Sequence, residues 1–286
     1  MEEELGIQSL IPALGILLAC LYICFVLGFF SFDSFKKAKF PKLAGLSVFL
    51  VFFTYIAMQG LIVPLLYTLG YFFLTGANLD TALLSGKQQA WLSFCGVLLS
   101  VGTVFLSAKL IFTRSDYKKI WRTNESRAFK SFLNGAGTTV LLVPLISCIT
   151  HSFAVFMQYM DISEEEQVAV TVFKMTEGDP YLQVLAFLTI TLAVPFVEEF
   201  LFRGCFQNYL RRYFKPLYSI LLTSILFAAF HFSPAQGFSN IPLIISLILA
   251  SYFFGILYSR YRTLWAPIGL HVSFNFFNLV LLILKS

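Results

Sequence analysis

Three short segments place acid–base groups in otherwise apolar sequence. Val194-Pro-Phe-Val-Glu-Glu-Phe-Leu-Phe-Arg-Gly204 carries Glu198, Glu199 and Arg203, Phe227-Ala-Ala-Phe-His231 carries a histidine, and His271-Val-Ser-Phe-Asn275 carries a histidine and an amide. Two of the chain's 3 histidines belong to this set. An ionisable side chain inside a membrane span costs about 2.5–3.5 kcal/mol on insertion scales, so each is a candidate functional residue. Glu199 and Arg203 are one helical turn apart and can neutralise each other on one face. Glu198 is turned about 100° from Glu199, which leaves it as the carboxylate free for chemistry. His271 and Asn275 again share a face. A free carboxylate with a histidine can activate water, and two histidines with a carboxylate can also hold zinc with one position open. The bland reading of each piece is a packed Glu–Arg pair or a satisfied core histidine. His151, with no polar partner at helical spacing, is expected to be structural.

These groups need helices that bring them to one depth. Charge-free stretches run over Leu5–Phe32, Leu43–Leu79, Gln88–Ala108, Ser131–Met160, Pro180–Val197, Pro216–Ser259 and Thr263–Leu284. A crossing helix needs roughly 20 apolar residues, and the turn-rich block Ser233–Pro242 should break the sixth stretch in two. The expectation is an all-α, polytopic membrane helix bundle of about eight transmembrane helices. The turn between the fifth and sixth spans centres on Phe214 and Lys215. Glu198 and His231 lie at similar distances on either side of it, roughly 22–25 Å along each helix at about 1.5 Å per residue. His271 and Asn275 follow the Arg260–Arg262 loop by about 14–20 Å. Four polar groups from three helices can therefore meet, in a site that water reaches from the cytoplasmic side.

Composition agrees. The chain of 286 residues is 58% hydrophobic, 17% aromatic and only 12% charged, against about 25% charged for a soluble domain. That excludes a soluble enzyme or a nucleic-acid-binding protein. With eight spans, seventeen of the 20 basic residues fall in four loops on one side, which positive-inside sorting makes cytoplasmic. Lys87, Lys174 and Lys285 remain outside with the acidic loop Asp161–Asp179, so both termini are expected to be non-cytoplasmic. The first span follows Glu2, Glu3 and Glu4 and is expected to be a retained helix rather than a signal peptide. Residues 112–128 are expected to include a short interfacial helix. Five cysteines with no C-x-x-C spacing read as small hydrophobic residues.

The three segments resemble the signature of membrane-embedded glutamic endopeptidases, the CPBP (CAAX protease and bacteriocin-processing) family that includes the type II CAAX prenyl proteases. Its pattern E-E-x-x-x-R, F-x-x-x-H and H-x-x-x-N stands here as Glu198–Arg203, Phe227–His231 and His271–Asn275, in order. The resemblance implies an intramembrane endopeptidase. Glu198 and His231 would activate a water, His271 and Asn275 would form an oxyanion hole, and Glu199 and Arg203 would support them. No metal or cofactor is implied. The catalytic region would be 180–286, and 1–179 would be an N-terminal four-helix membrane region without a catalytic motif. The implied partners are the lipid bilayer and a peptide or membrane-protein substrate, prenylated in the CAAX case, and no nucleic acid. The implied location is the inner membrane in a bacterium or the endoplasmic reticulum in a eukaryote. The readings in competition are a zinc-dependent intramembrane metalloprotease, a non-catalytic membrane scaffold that binds a partner protein, and a transporter.

Overall fold

The computed structural model describes residues 8–29, 40–41, 43–76, 84–121 and 125–285. Glu2–Glu4, the basic residues Lys36, Lys37, Lys39 and Lys42, and Arg122 lie outside the described residues. Among those described the secondary structure is entirely helical, without a strand. The first half comprises α1 (Leu10–Val26), α2 (Gly45–Thr75), α3 (Gly86–Ile111), α4 (Arg114–Trp121), α5 (Glu125–Gly137) and α6 (Thr139–Tyr159). After the short α7 (Val168–Lys174) come α8 (Pro180–Leu210), α9 (Pro216–Ala229), α10 (Asn240–Tyr261) and α11 (Trp265–Lys285).

Six helical stretches are long and apolar enough to cross a membrane: α2, α3, Arg127–Tyr159 formed by α5 and α6, α8, α10 with its preceding turn, and α11. The protein is a multi-pass membrane protein. The two other expected spans coincide with shorter apolar helices, α1 and α9. The 14 residues of α9 rise about 21 Å, short of the roughly 30 Å hydrocarbon core. A helix of that length that starts at one membrane surface ends inside the bilayer, with Ala229 and the nearby His231.

Local sequence explains the breaks. Asp179 caps α8 by accepting from the Leu182 N–H at 3.1 Å, with Pro180 in the first turn where its missing N–H costs nothing. Pro195 lies inside the same helix, where it cannot donate to the preceding turn. A wider π-helical segment, Thr189–Ala193, sits immediately before it and accommodates the ring. The same arrangement recurs in α2, where the π-helical Met58–Ile62 precedes Pro64. In the block expected to break the sixth stretch, Pro234–Ser239 forms a 3₁₀ turn with Gly237 at φ 45° and ψ −128°. In the 112–128 region α4 is the short helix expected there.

The fifth span runs on past its charge-free stretch Pro180–Val197 toward the turn at Phe214 and Lys215, as expected: α8 continues through Glu198, Glu199 and Arg203 to Leu210. The Glu199–Arg203 pair is wholly buried inside the protein, not exposed at a membrane surface.

The core centres on α8 and α10. Half (50%) of each helix's most apolar window is buried, against 22% for Arg127–Tyr159 on the periphery. A polar ladder fixes the register of α8 and α10. Arg203 donates to the Ser251 carbonyl (3.1 Å), Gln207 to the Gly255 carbonyl (3.3 Å) and Arg211 to the Ser259 hydroxyl (2.7 Å), each pair 48 residues apart in sequence. On another flank α5 and α11 touch backbone to backbone. A methyl group at Gly135 would run into the Ala266 carbonyl, and one at Gly269 into that of Phe132. Small residues permit that approach, which sets the position of the helix bearing His271. Cys20, Cys24, Cys148 and Cys205 are buried and Cys95 is exposed.

Candidate active site

Glu198 and Glu199 lie at the end of an α-helical stretch, Val194–Glu199, set between the π-helical segments Thr189–Ala193 and Phe200–Gln207 of α8. Wider turns change the angular spacing of side chains, and such segments cluster at functional sites. Here both adjacent carboxylates point into the protein. Glu199 and Arg203 are 0% exposed and Glu198 is 8% exposed.

The two carboxylates have different partners. Glu199 Oε1 accepts from Arg203 Nη1 at 3.0 Å and from His271 Nδ1 at 2.9 Å. Arg203 also donates to the Ser251 hydroxyl and carbonyl, and its guanidinium lies 4.8 Å and 5.0 Å from the ring centroids of Phe227 and Phe254. A buried charge held by an opposite charge, hydrogen bonds and ring faces is compensated in the way burial requires. Glu198 instead faces two imidazoles. Its Oε1 is 3.7 Å from His231 Nε2, and its Oε2 is 3.7 Å from His271 Nε2.

The other ring nitrogens decide what those Nε2 atoms carry. His231 Nδ1 is 2.9 Å from the Phe227 carbonyl, which can only accept, so Nδ1 holds the proton. His271 Nδ1 donates to Glu199 by the same reasoning. In the neutral rings both Nε2 atoms therefore present lone pairs toward a carboxylate. Three acceptors around one space need a donor between them, which a water or a proton on a ring supplies. The separation of 3.7 Å is too long for a direct hydrogen bond and short enough for one water to touch both atoms.

The uncovered edge of the site is at His231, whose side chain is 32% exposed, while that of His271 is 7% exposed. His231 sits just past the end of α9, away from the Arg211–Lys215 turn. Phe254 stacks on His271 with centroids 4.6 Å apart, and Phe227 lies against His231 at 4.8 Å. These faces hold both rings in place.

Asn275, half-buried, donates its amide to the Ile190 carbonyl at 3.0 Å, in the π-helical segment ahead of the glutamates. It is thus one turn beyond His271 on α11 and tied to the helix that carries Glu198. His151 belongs to a different contact, with Nε2 2.7 Å from the Ser9 hydroxyl. Among the described residues no group of three His, Cys, Asp or Glu side chains is arranged to hold a metal ion.

Several contributors escape a reading by motif. Ser251 and Phe254 on α10 hold Arg203 and His271, although α10 carries no polar signature of its own. The signal was present as matching four-residue spacings, Arg203, Gln207 and Arg211 against Ser251, Gly255 and Ser259. From the N-terminal half, Phe52 packs edge-on against Phe202 at 5.4 Å and Phe230 at 6.3 Å, the neighbours of Arg203 and His231. One turn further, the half-buried Tyr55 interacts electrostatically with Glu198. Nothing in the sequence of α2 indicates this.

Residues 180–277 match the family model described as type II CAAX prenyl endopeptidase Rce1-like. The resemblance read from the three motifs is borne out by that match. The chain is also similar to the UPF0177 protein YvdC of Lactococcus lactis subsp. lactis (strain IL1403), 28% identical over 147 residues, which are 50% of this chain and 51% of that protein. The chain thus spans about half the length of the curated relative it matches. No solved structure matches the chain.

Proposed function

We propose that this protein, whose residues 180–277 match the type II CAAX prenyl endopeptidase Rce1-like model, is an intramembrane endopeptidase that hydrolyses a peptide bond with a water held between Glu198 and His231. The observation that supports this most strongly is the placement of Glu198 3.7 Å from His231 Nε2 and 3.7 Å from His271 Nε2, each ring held by its Nδ1. In this reading the water donates one hydrogen to Glu198 and the other to His231 Nε2. Its remaining lone pair attacks the peptide carbonyl as Glu198 takes the proton. Glu198 then returns the proton to the leaving amine.

The negative charge that develops on the carbonyl oxygen needs donors. With a proton on Nε2 as well as on Nδ1, His271 would supply one donor, its ring held in place by the Nδ1 bond to Glu199. Asn275 supplies the second donor with the amide hydrogen not held by Ile190. Arg203 keeps Glu199 aimed through its 3.0 Å bond to Oε1. The catalytic region in this proposal is 180–286, while 1–179 supplies the packing that carries Phe52 and Tyr55 to the site. The loop charges support cytoplasmic placement of the Arg211–Lys215 and Arg260–Arg262 loops, with both termini on the other side. The substrate is a peptide or membrane protein that presents an extended segment within the bilayer. Mass-spectrometric mapping of new peptide termini in membranes containing the unmodified or the Glu198→Gln protein tests this. Termini that depend on Glu198 are expected, and identical sets would overturn the proposal.

A further inference from the structure

A second polar region lies apart from the Glu198 cluster, between α4, α5 and the 260–263 turn. It is a cavity of about 940 Å³ lined by Lys118, Lys119, Arg127, Lys130, Arg260 and Arg262, with no carboxylate among its described lining residues. Sorting of basic residues to one side of the membrane explains a positive loop, but it does not require six cations from three elements to converge on one cavity. Two of the six are committed: Lys119 pairs with Asp116 at 3.6 Å, and Arg260 donates to the Gly28 carbonyl at 2.7 Å. Lys118, Arg127, Lys130 and Arg262 have no pairing partner among the described residues. Concentrated like charge is repulsive, and an anion relieves it.

The helix on one wall indicates which anion. Along α5, Arg127, Lys130, Ser131 and Asn134 recur at helical spacing and line the cavity, whereas Phe129 and Leu133 on the same helix are exposed apolar residues. A ligand there meets cations and neutral donors on one face and a lipid-facing apolar surface beside them. That combination fits an amphiphile better than a free ion. We propose that this cavity binds the phosphate headgroup of an anionic membrane lipid, with the acyl chains running along the Phe129 and Leu133 side of α5. Basic pockets between membrane helices on the cytoplasmic side recognise such headgroups. The proposal does not depend on proteolytic activity.

The test uses the purified full chain in neutral detergent. Native mass spectrometry measures retention of phosphatidylglycerol against phosphatidylcholine, for the unmodified protein and for two triple variants. Lys118→Gln/Lys130→Gln/Arg262→Gln is expected to weaken phosphatidylglycerol retention about a hundredfold, roughly fivefold per cation removed. Lys87→Gln/Lys109→Gln/Lys215→Gln, which removes as much charge outside the cavity lining, is expected to stay within about threefold, because distant exposed charges are screened. Equal losses in the two variants would reduce the effect to bulk charge and overturn the site. Thermal unfolding of the unmodified protein keeps the question open to refutation if a variant folds poorly. Phosphatidylglycerol should raise the midpoint and phosphatidylcholine should not. An equal rise with inorganic phosphate would replace the lipid by a soluble anion, and no rise with either would leave the cavity without an anion site.

Discussion

His271 Nδ1 donates to Glu199 Oε1 across 2.9 Å, on the same oxygen that accepts from Arg203. This bond does two things at once. It places a buried negative charge between a guanidinium and an imidazole, and it turns the other nitrogen of His271 toward Glu198. Two glutamates adjacent in sequence thus address the two nitrogens of one ring.

Breaking that arrangement should be costly in a particular way. Removing either partner of a buried ion pair leaves an uncompensated charge, worth about 3–5 kcal/mol. Glu199→Gln and Arg203→Met are each expected to destabilise the protein by about that amount in denaturant titrations in detergent, and the double variant by less than the sum. Strict additivity would contradict the pairing.

Asn275 tests the oxyanion assignment. Loss of one such donor typically lowers kcat by about 10²–10³. Asn275→Ala should show that loss with little change in KM, because the interaction strengthens only in the transition state. A rise in KM at constant kcat would instead place Asn275 in ground-state substrate binding.

The chemistry proposed needs no metal. Activity should survive exhaustive dialysis against a chelator, and elemental analysis of the active protein should show far less than one zinc per chain. Activity that disappears with a stoichiometric zinc and returns on its addition would favour the competing hydrolytic mechanism.

Gly269 tests how α11 is positioned. Its Cα faces the Phe132 carbonyl with no room for a methyl group, so Gly269→Ala must separate α5 from α11. Overpacking of this kind typically costs about 1–3 kcal/mol, and His271, two residues on, should shift with the helix. The expected result is a lower unfolding midpoint together with reduced activity. Gly102→Ala, where nothing lies within 4 Å, should leave both unchanged.

Much of this was legible in the sequence because membrane physics makes charge rare and therefore informative. Glu198, Glu199, Arg203, His231 and His271 stood out against apolar surroundings, and helical spacing paired Glu199 with Arg203 as the structure does. The reach of α8 beyond Val197 was legible too, since the next turn signal comes only at Phe214 and Lys215. The stacking of Phe254 on His271 was hidden. In a chain with 34 phenylalanines, no single ring is conspicuous. The link from Asn275 to Ile190 depends on a π-helical turn ahead of Pro195, a distortion that the proline hints at but does not locate. Tyr55 reaches the site through tertiary packing of α2, which spacing within one helix cannot encode.

The central claim is that Glu198 takes the proton of the attacking water. In proteoliposomes, with a substrate identified from Glu198-dependent termini, the decisive quantity is the single-turnover cleavage rate of the Glu198→Gln protein relative to the unmodified one. Gln keeps the shape of the side chain and removes its basicity. General-base catalysis contributes about 10²–10⁴-fold, so the rate should fall by at least that range while the unfolding midpoint stays within a few degrees. Cleavage by Glu198→Gln at the unmodified rate would contradict the account.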